Sequence, residues 1–264
     1  YYICRNNILS MRLIEEKHFR IYHALIGERI PDLIEKFNFK AGSIDLPYHT
    51  EVSAILSSNI EGNSIDINSF MNYKLHHIEL NSHDDIIEIE NLAGAYRFAQ
   101  ENRLNEKNIL ESHRILFKGL RKSIDYGKYR NEKIGVFGET GLMYLATDPS
   151  MLNVELTNFY IDLENLLKMK MSTAQVFYYA SIIHLVFVHI HPMRDGNGRL
   201  ARLLEKWFIA SKLGSEFWKL LPEKYYKNHV EEYSQNINLG PKYEELNYDR
   251  CISFLLMLPN SLES

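Results

Sequence analysis

Two cysteines, Cys4 and Cys251, are all that 264 residues contain, and no spacing pattern pairs them, so a disulfide-stapled scaffold is excluded. A reducing, cytoplasmic setting is the expectation. A surplus of positive charge is missing as well: 30 Lys and Arg against 34 Asp and Glu leave a formal net charge of −4. Without a basic surplus the chain lacks the electrostatic footprint of a phosphate-backbone binder, and direct nucleic-acid binding is not expected. Long hydrophobic runs are absent too. The most apolar stretch, Val176 to Ile190, is interrupted by Ser181, His184 and His189. It falls short of the roughly 18 uninterrupted apolar residues of a membrane span; it reads as a buried core helix, and no membrane partner is expected. The chain begins at Tyr1 with no basic segment leading into an apolar one, so no signal peptide is visible. No repeat, low-complexity tract or long linker divides the sequence.

What is present is ordinary globular material: 45% hydrophobic and 24% charged residues, with 12% aromatics to fill a core. Apolar residues recur at helical spacing almost throughout, so the fold class is mainly α. Predicted helices run through Met11–Ile26, Pro47–Ile60, Asp85–Gln100, Glu106–Leu120, Pro149–Lys168, Thr173–Ile190, Asn197–Lys212, Lys224–Ile237 and Asp249–Leu258. Ser172 with Gln175 spells a capping box, and Asp148 before Pro149 spells another start. A helical region over 1–80 followed by a core over 81–264, packed as one unit, is the expected organisation. The segment Gly127–Gly141 breaks the pattern, holding four of the 13 glycines. Ile134–Phe137 and Met143–Leu145 read as a short β-hairpin spanning about 134–145. A lone hairpin adds little stability, so it serves either as a flap over a site or as an ordinary surface loop.

The densest chemistry is His191-Pro192-Met193-Arg194-Asp195-Gly196-Asn197-Gly198-Arg199-Leu200-Ala201-Arg202. Pro192 stops the incoming helix and leaves His191 at its end. Gly196 and Gly198 allow a tight turn, and the amides around Asn197, opening the next helix, form an anion nest suited to phosphate. Leu200, Leu203, Leu204, Trp207 and Phe208 make a core stripe, while Arg199 and Arg202 fall off it on a shared face. Two adjacent guanidiniums call for an anion between them; a solvated basic face is the plain alternative. His191 reads as a general base near Asp195, a metal-binding carboxylate. A zinc site drawing on His184, His189, His191 and Asp195 matches no common spacing, and His184 is expected to pack with Val176, Ala180, Ile183 and Phe187.

This run resembles the motif of the Fic (filamentation-induced-by-cAMP) family, His-Pro-Phe-x-[Asp/Glu]-Gly-Asn-Gly-Arg-x-x-Arg, at every fixed position except Met193, where the family has Phe. Ala180-x-x-x-His184-x-x-Phe187 is similar to the family's lead-in helix, and Tyr129-Arg130 to the entry of its flap. Upstream, Ser57-Ser58-Asn59-Ile60-Glu61-Gly62 resembles the inhibitory motif [Ser/Thr]-x-x-x-Glu-[Gly/Asn]. Its position implies the subclass with an N-terminal inhibitory helix. Glu61 also draws notice by itself, since a carboxylate in the last turn of a helix ended by Gly62 opposes the macrodipole and gains by meeting a cation.

The resemblance implies a Fic-type helical bundle with a short β-hairpin flap, and a protein adenylyltransferase that moves AMP from ATP to a Tyr, Ser or Thr hydroxyl. His191 would be the base and Asp195 the Mg²⁺ ligand. Gly196, Asn197 and Gly198 would cradle the α-phosphate, and Arg199 and Arg202 would take the β- and γ-phosphates. Val136, Phe137, Gly138 and Glu139 would hold the target's main chain, and Tyr233, among Tyr225, Tyr226 and Tyr233, would contact adenine. Ser57, Glu61 and Gly62 would form the brake, with Glu61 on Arg202. A homodimer and a hydroxyl-bearing target protein are the implied partners. Removal of AMP, another phosphoryl or nucleotidyl transfer, a metal-dependent phosphohydrolase on His189, His191 and Asp195, and a non-catalytic nucleotide-binding adaptor remain the alternatives.

Overall fold

Capping residues set where several helices begin. In the computed structural model, which describes residues 13, 17–37, 46–80, 82–120, 126–138 and 141–263, Ser172 and Gln175 close a reciprocal capping box at the start of α8 (Thr173–Ile190). Asp148 accepts from the Ser150 amide at 3.0 Å ahead of Pro149, opening α7 (Pro149–Lys168). Pro192 and the left-handed His191 end α8; Gly196, also left-handed, opens α9 (Asn197–Leu213) and Gly214 closes it.

Around the α8–α9 pair, the most extensive helix contact among the described residues, are α3 (Leu46–Ile60), α5 (His83–Glu101), α6 (Glu106–Leu116) and α12 (Ile252–Asn260). One apolar cluster runs through these helices. The described chain is therefore mainly helical, with a single two-stranded antiparallel sheet of β1 (Gly135–Gly138) and β2 (Gly141–Leu145). Its register pairs Gly135 with Leu145 and Gly138 with Gly141, with an irregularity between Val136 and Phe137. α8 has the length and composition of a membrane span, mean hydropathy 1.4, and 83% of that window is buried inside the protein.

Several expectations need correction. Within the range Met11–Ile26 the described helix is only α1 (Phe19–Tyr22), running into a π-turn at His23–Gly27, and most of the earlier part lies outside the described residues. Two short helices were not legible: α2 (Ile30–Lys36), and α4 (Ile67–His76), a polar segment with only Phe70 buried and a local cap from Asp66 to the Ser69 amide. The range Lys224–Ile237 is two helices, α10 (Pro222–Asn228) and α11 (Val230–Ile237), split at His229, whose ring stacks on Tyr225 at 4.2 Å. No glycine or proline marks that break. The last helix starts at Ile252, after a 3₁₀ turn at Tyr248–Arg250. Along α9, Arg199, Arg202, Glu205 and Lys206 are all buried, which rules out the solvated basic face that stood as the plain alternative at Arg199 and Arg202.

Candidate active site

His191 caps α8 with φ 51° and ψ 58°. Its Nδ1 lies 3.2 Å from the Val188 carbonyl, so Nδ1 carries the proton and Nε2 keeps its lone pair. Burial pushes the imidazole down to about 4, helped by the Arg130 charge and opposed by the Val188 bond, Glu61 and Asp195; it is neutral near pH 7. Arg130, at the entry to the hairpin, fixes the backbone here. Its Nε donates to the His191 carbonyl at 2.6 Å, Nη2 to Thr147 at 2.6 Å and Ile190 at 3.2 Å, and Nη1 to Glu132 at 2.7 Å. Arg130 thus joins the end of α8 to both flanks of the hairpin. Its signal in the sequence was only the Tyr129-Arg130 resemblance.

The turn after His191 is shaped from within. Asn197 Oδ1 accepts from the Met193 amide and its Nδ2 donates to the Met193 carbonyl, each at 2.9 Å. Its side chain is spent on the loop, so a phosphate contact at Asn197 would fall to its backbone amide. The Gly196 amide is likewise turned to Asp195 Oδ1 at 2.6 Å, so the nest is partly filled by its own carboxylate. Met193 is fully buried, the packing role its place in the motif requires. A Cβ at Gly196 would stand 2.8 Å from the Phe117 ring, and φ there is +80°, so glycine is needed twice over. From α6, His113 accepts the Gly127 amide on Nδ1 at 2.8 Å, which leaves Nε2–H to donate to the Asp195 carbonyl at 3.1 Å. No sequence pattern pointed to that brace.

Arg199 and Arg202 diverge to different acids. Arg202 is fully buried; its Nη2 meets Glu61 Oε1 at 2.6 Å and the Ser57 carbonyl at 2.9 Å, Nε meets Ser57 Oγ at 2.8 Å, and Nη1 meets Tyr233 Oη at 3.2 Å. Burial opposes ionisation of Glu61, but the Arg202 charge and hydrogen bond outweigh it and hold the carboxyl below the usual range. Gly62, at φ +100°, turns the chain directly after Glu61. The Glu61 carboxylate rests on Gly198, where any Cβ would collide with Oε1. Arg199 instead pairs with Glu88 through Nη1 and with Asp195 through Nη2, both at 3.0 Å. The anion expected between the arginines is thus supplied by side chains.

A second polar network lies beneath. His184 is fully buried, but it does not simply pack with its apolar neighbours: Nε2 meets Tyr233 Oη at 2.9 Å, and Nδ1 lies 3.3 Å from Glu205, which also accepts from Tyr226. Lys206 reaches Ser53 Oγ at 2.5 Å. α3 and the residue directly after it therefore present Ser53, Ser57 and Glu61 to Lys206 and Arg202 of α9. His189 uses Nε2 on the Ile237 carbonyl at 2.8 Å and Nδ1 on Tyr248 Oη at 2.9 Å. Both nitrogens are engaged, so His189 is not placed to share a metal with His191 and Asp195. Among the described residues no three His, Cys, Asp or Glu side chains gather as a metal cluster.

His191, Glu61, Gly198, Arg202 and Tyr233 line one cavity of about 400 Å³ with Val136 and Phe137 of β1, Met143 and Tyr144 of β2, and Ser234, Ile237 and Asn238. Asp195, Gly196, Asn197 and Arg199 are not on its walls. Of the three tyrosines considered for adenine, only Tyr233 reaches the cavity; Tyr226 is fully buried on Glu205. Ser234, Ile237 and Asn238 were missed, because the α10–α11 break that turns them inward leaves no trace in the sequence. Phe137 is 73% exposed. Gly138 is described by its backbone alone, and Glu139 lies outside the described residues. The sheet is tethered at its base by Tyr144 Oη on the His189 carbonyl at 2.6 Å and by the Leu145 amide on Pro241 at 2.9 Å.

Residues 103–209 match the model of the Fic/DOC family. Among curated proteins, the chain is similar to Protein adenylyltransferase Fic of Aedes aegypti, 28% identical over 196 residues, covering 70% of this chain and 36% of that protein. The chain thus spans about a third of the length of the curated relatives it matches. Among solved structures, a Fic family protein from Desulfovibrio desulfuricans superposes with a TM-score of 0.74 at 19% identity, over 92% of this chain and 73% of that one. A Fic domain containing signaling protein from Bacteroides thetaiotaomicron gives 0.62 at 19%, over 93% and 94%. The His191–Arg202 turn lies within the segment, residues 103–209, that matches the Fic/DOC-family model.

Proposed function

We propose that this chain transfers AMP from ATP to a hydroxyl side chain of a target protein, and that Glu61 restrains it. One observation carries the reading: a carboxylate sits on Gly198 and Arg202, in a cavity shared with the neutral His191. A pocket that holds one anion at a glycine turn and a buried guanidinium can exchange it for a phosphate. In the forward reaction the target hydroxyl oxygen bonds to the α-phosphorus, the bond from that phosphorus to the bridging oxygen breaks, and pyrophosphate leaves. His191 Nε2 takes the hydroxyl proton. Arg202, once released by Glu61, takes the terminal phosphates, and Arg199 joins it. A single carboxylate suits Mg²⁺, which relies on substrate phosphates and water for its other ligands. Asp195 would hold it, and the ion would offset charge on the departing pyrophosphate.

The hairpin supports target binding, since β1 carries Val136 and Phe137 into the cavity wall and an extended peptide can pair with a strand edge. In this proposal residues 1–80 supply the brake and 81–264 the catalytic core, in a homodimer acting in the cytoplasm. A second reading, hydrolytic removal of AMP, is supported by Glu61 lining the same cavity as His191, where it can orient a water.

Intact-mass analysis after incubation with Mg²⁺ and ATP tests the main reading. Glu61→Gly is expected to gain an AMP increment that wild type and Glu61→Gly/His191→Ala do not. No increment on the chain or on added protein in any of the three would overturn it, and loss of AMP from a modified protein with wild type alone would favour the second reading.

A further inference from the structure

Arg199 is gripped by a residue outside the motif. Glu88, on α5, accepts from Arg199 Nη1 at 3.0 Å, while Asp195 accepts from Nη2 at 3.0 Å and the guanidinium lies 5.2 Å above the Phe117 ring. The Arg199 side chain is 5% exposed. Its remaining nitrogen, Nε, is buried and has no acceptor. An unmatched buried N–H is uncommon, and an acceptor arriving there would relieve it. In a guanidinium, Nε–H and one Nη2–H point the same way along one planar edge, the fork that a phosphate accepts bidentately. Glu88 holds the nitrogen that lies off this edge. Like Arg199, it lies behind the cavity wall rather than on it. In this it differs from Glu61, which takes Arg202 inside the cavity.

We propose that Glu88 is a positioning residue that aims the Nε–Nη2 edge of Arg199 at the outer phosphates of a bound nucleoside triphosphate. The inference rests on the adenylyltransferase reading above and adds a residue to it. Phe117 sets the plane of the guanidinium and Glu88 sets its rotation within that plane. When the Asp195 carboxylate leaves Nη2, the edge is free and already aimed.

The test is calorimetric binding of Mg²⁺–ATP and of AMP to Glu61→Gly, Glu61→Gly/Glu88→Ala and Glu61→Gly/Glu88→Gln. Glu88→Ala is expected to weaken ATP binding on the order of tenfold and to leave AMP binding unchanged, because AMP lacks the outer phosphates. Glu88→Gln, whose amide oxygen still accepts from Nη1, is expected to recover most of the loss. An ATP affinity that is unchanged or tighter in Glu88→Ala overturns the proposal, the tighter case making Glu88 a competitor of phosphate. Parallel losses for ATP and AMP overturn it as well and make Glu88 structural. If Glu61→Gly binds no ATP, the adenylyltransferase reading falls and this inference with it; unchanged affinities in a protein that does bind ATP sink this inference alone.

Discussion

His191 is built to be neutral. Burial holds its imidazole near 4, and the Val188 carbonyl fixes the proton on Nδ1. A general base works only unprotonated, so the acid limb of kcat/KM for Glu61→Gly should lie well below the ordinary imidazole range of about 6.5. AMP transfer at saturating Mg²⁺ is expected to stay level from about pH 8 to about pH 6 and to fall only on approach to about pH 5. A limb centred near 6.5 would show that His191 is solvated in the working enzyme. Removing Glu61 does not undo this, because its charge raises the His191 value rather than lowering it. At this scale the sequence was legible wherever chemistry is local. The turn from His191 to Arg202 and the Ser57–Glu61 pair are contiguous and carry distinctive residue types. Glu88 and His113 were not legible as site residues, since each acts on the turn from a distant helix and nothing in its neighbours announces the partner, and Arg130 was legible only as the entry to the hairpin.

Elements meet at Arg130. The end of α8 and the hairpin depend on it, because the carbonyls at the end of α8 have no partners within the helix. One guanidinium serves His191, Ile190, Thr147 and Glu132 together. Arg130→Lys places a single ammonium where three nitrogens donated, and hydrogen bonds from a charged group are worth about 1.5–3 kcal/mol each. A loss of about 2–3 kcal/mol in urea unfolding is expected, with faster amide exchange in residues 135–145 than in α7. Equal stability and unchanged exchange would show that the hairpin is held by Tyr144 and Pro241 instead. Helix ends were readable where a cap or proline stands in the sequence, as at Pro149 and Ser172. They were unreadable where tertiary packing alone makes the break, as at His229. The burial of the charged side of α9 was unreadable for the same kind of reason. Its charged residues are buried because α3, α5 and the C-terminal helices supply partners for them, and a helical wheel contains no information about neighbours.

Across the whole molecule, buried neutral histidines set the acid response. His113, His189 and His191 are each pushed down to about 4, in every case chiefly by burial. In the unfolded chain each returns to about 6.5. Between those values the unfolded chain binds protons that the folded one refuses, so stability falls as pH drops through that window, by about 1 kcal/mol per pH unit for each histidine. The melting temperature is expected to be level from about pH 8 to about pH 7 and to decline steadily from about 6.5 towards 4, before most carboxylates titrate. A flat profile down to about 4.5 would mean that these rings are protonated in the fold.

The left-handed backbone of His191 has a consequence of another kind. For a residue with a side chain, that conformation costs about 1–2 kcal/mol relative to glycine, which adopts it freely at helix ends. The molecule is therefore less durable than its own framework allows, and part of that cost falls on the residue proposed as the base. A lineage freed from the need for a base at this position would gain by replacing this histidine with glycine.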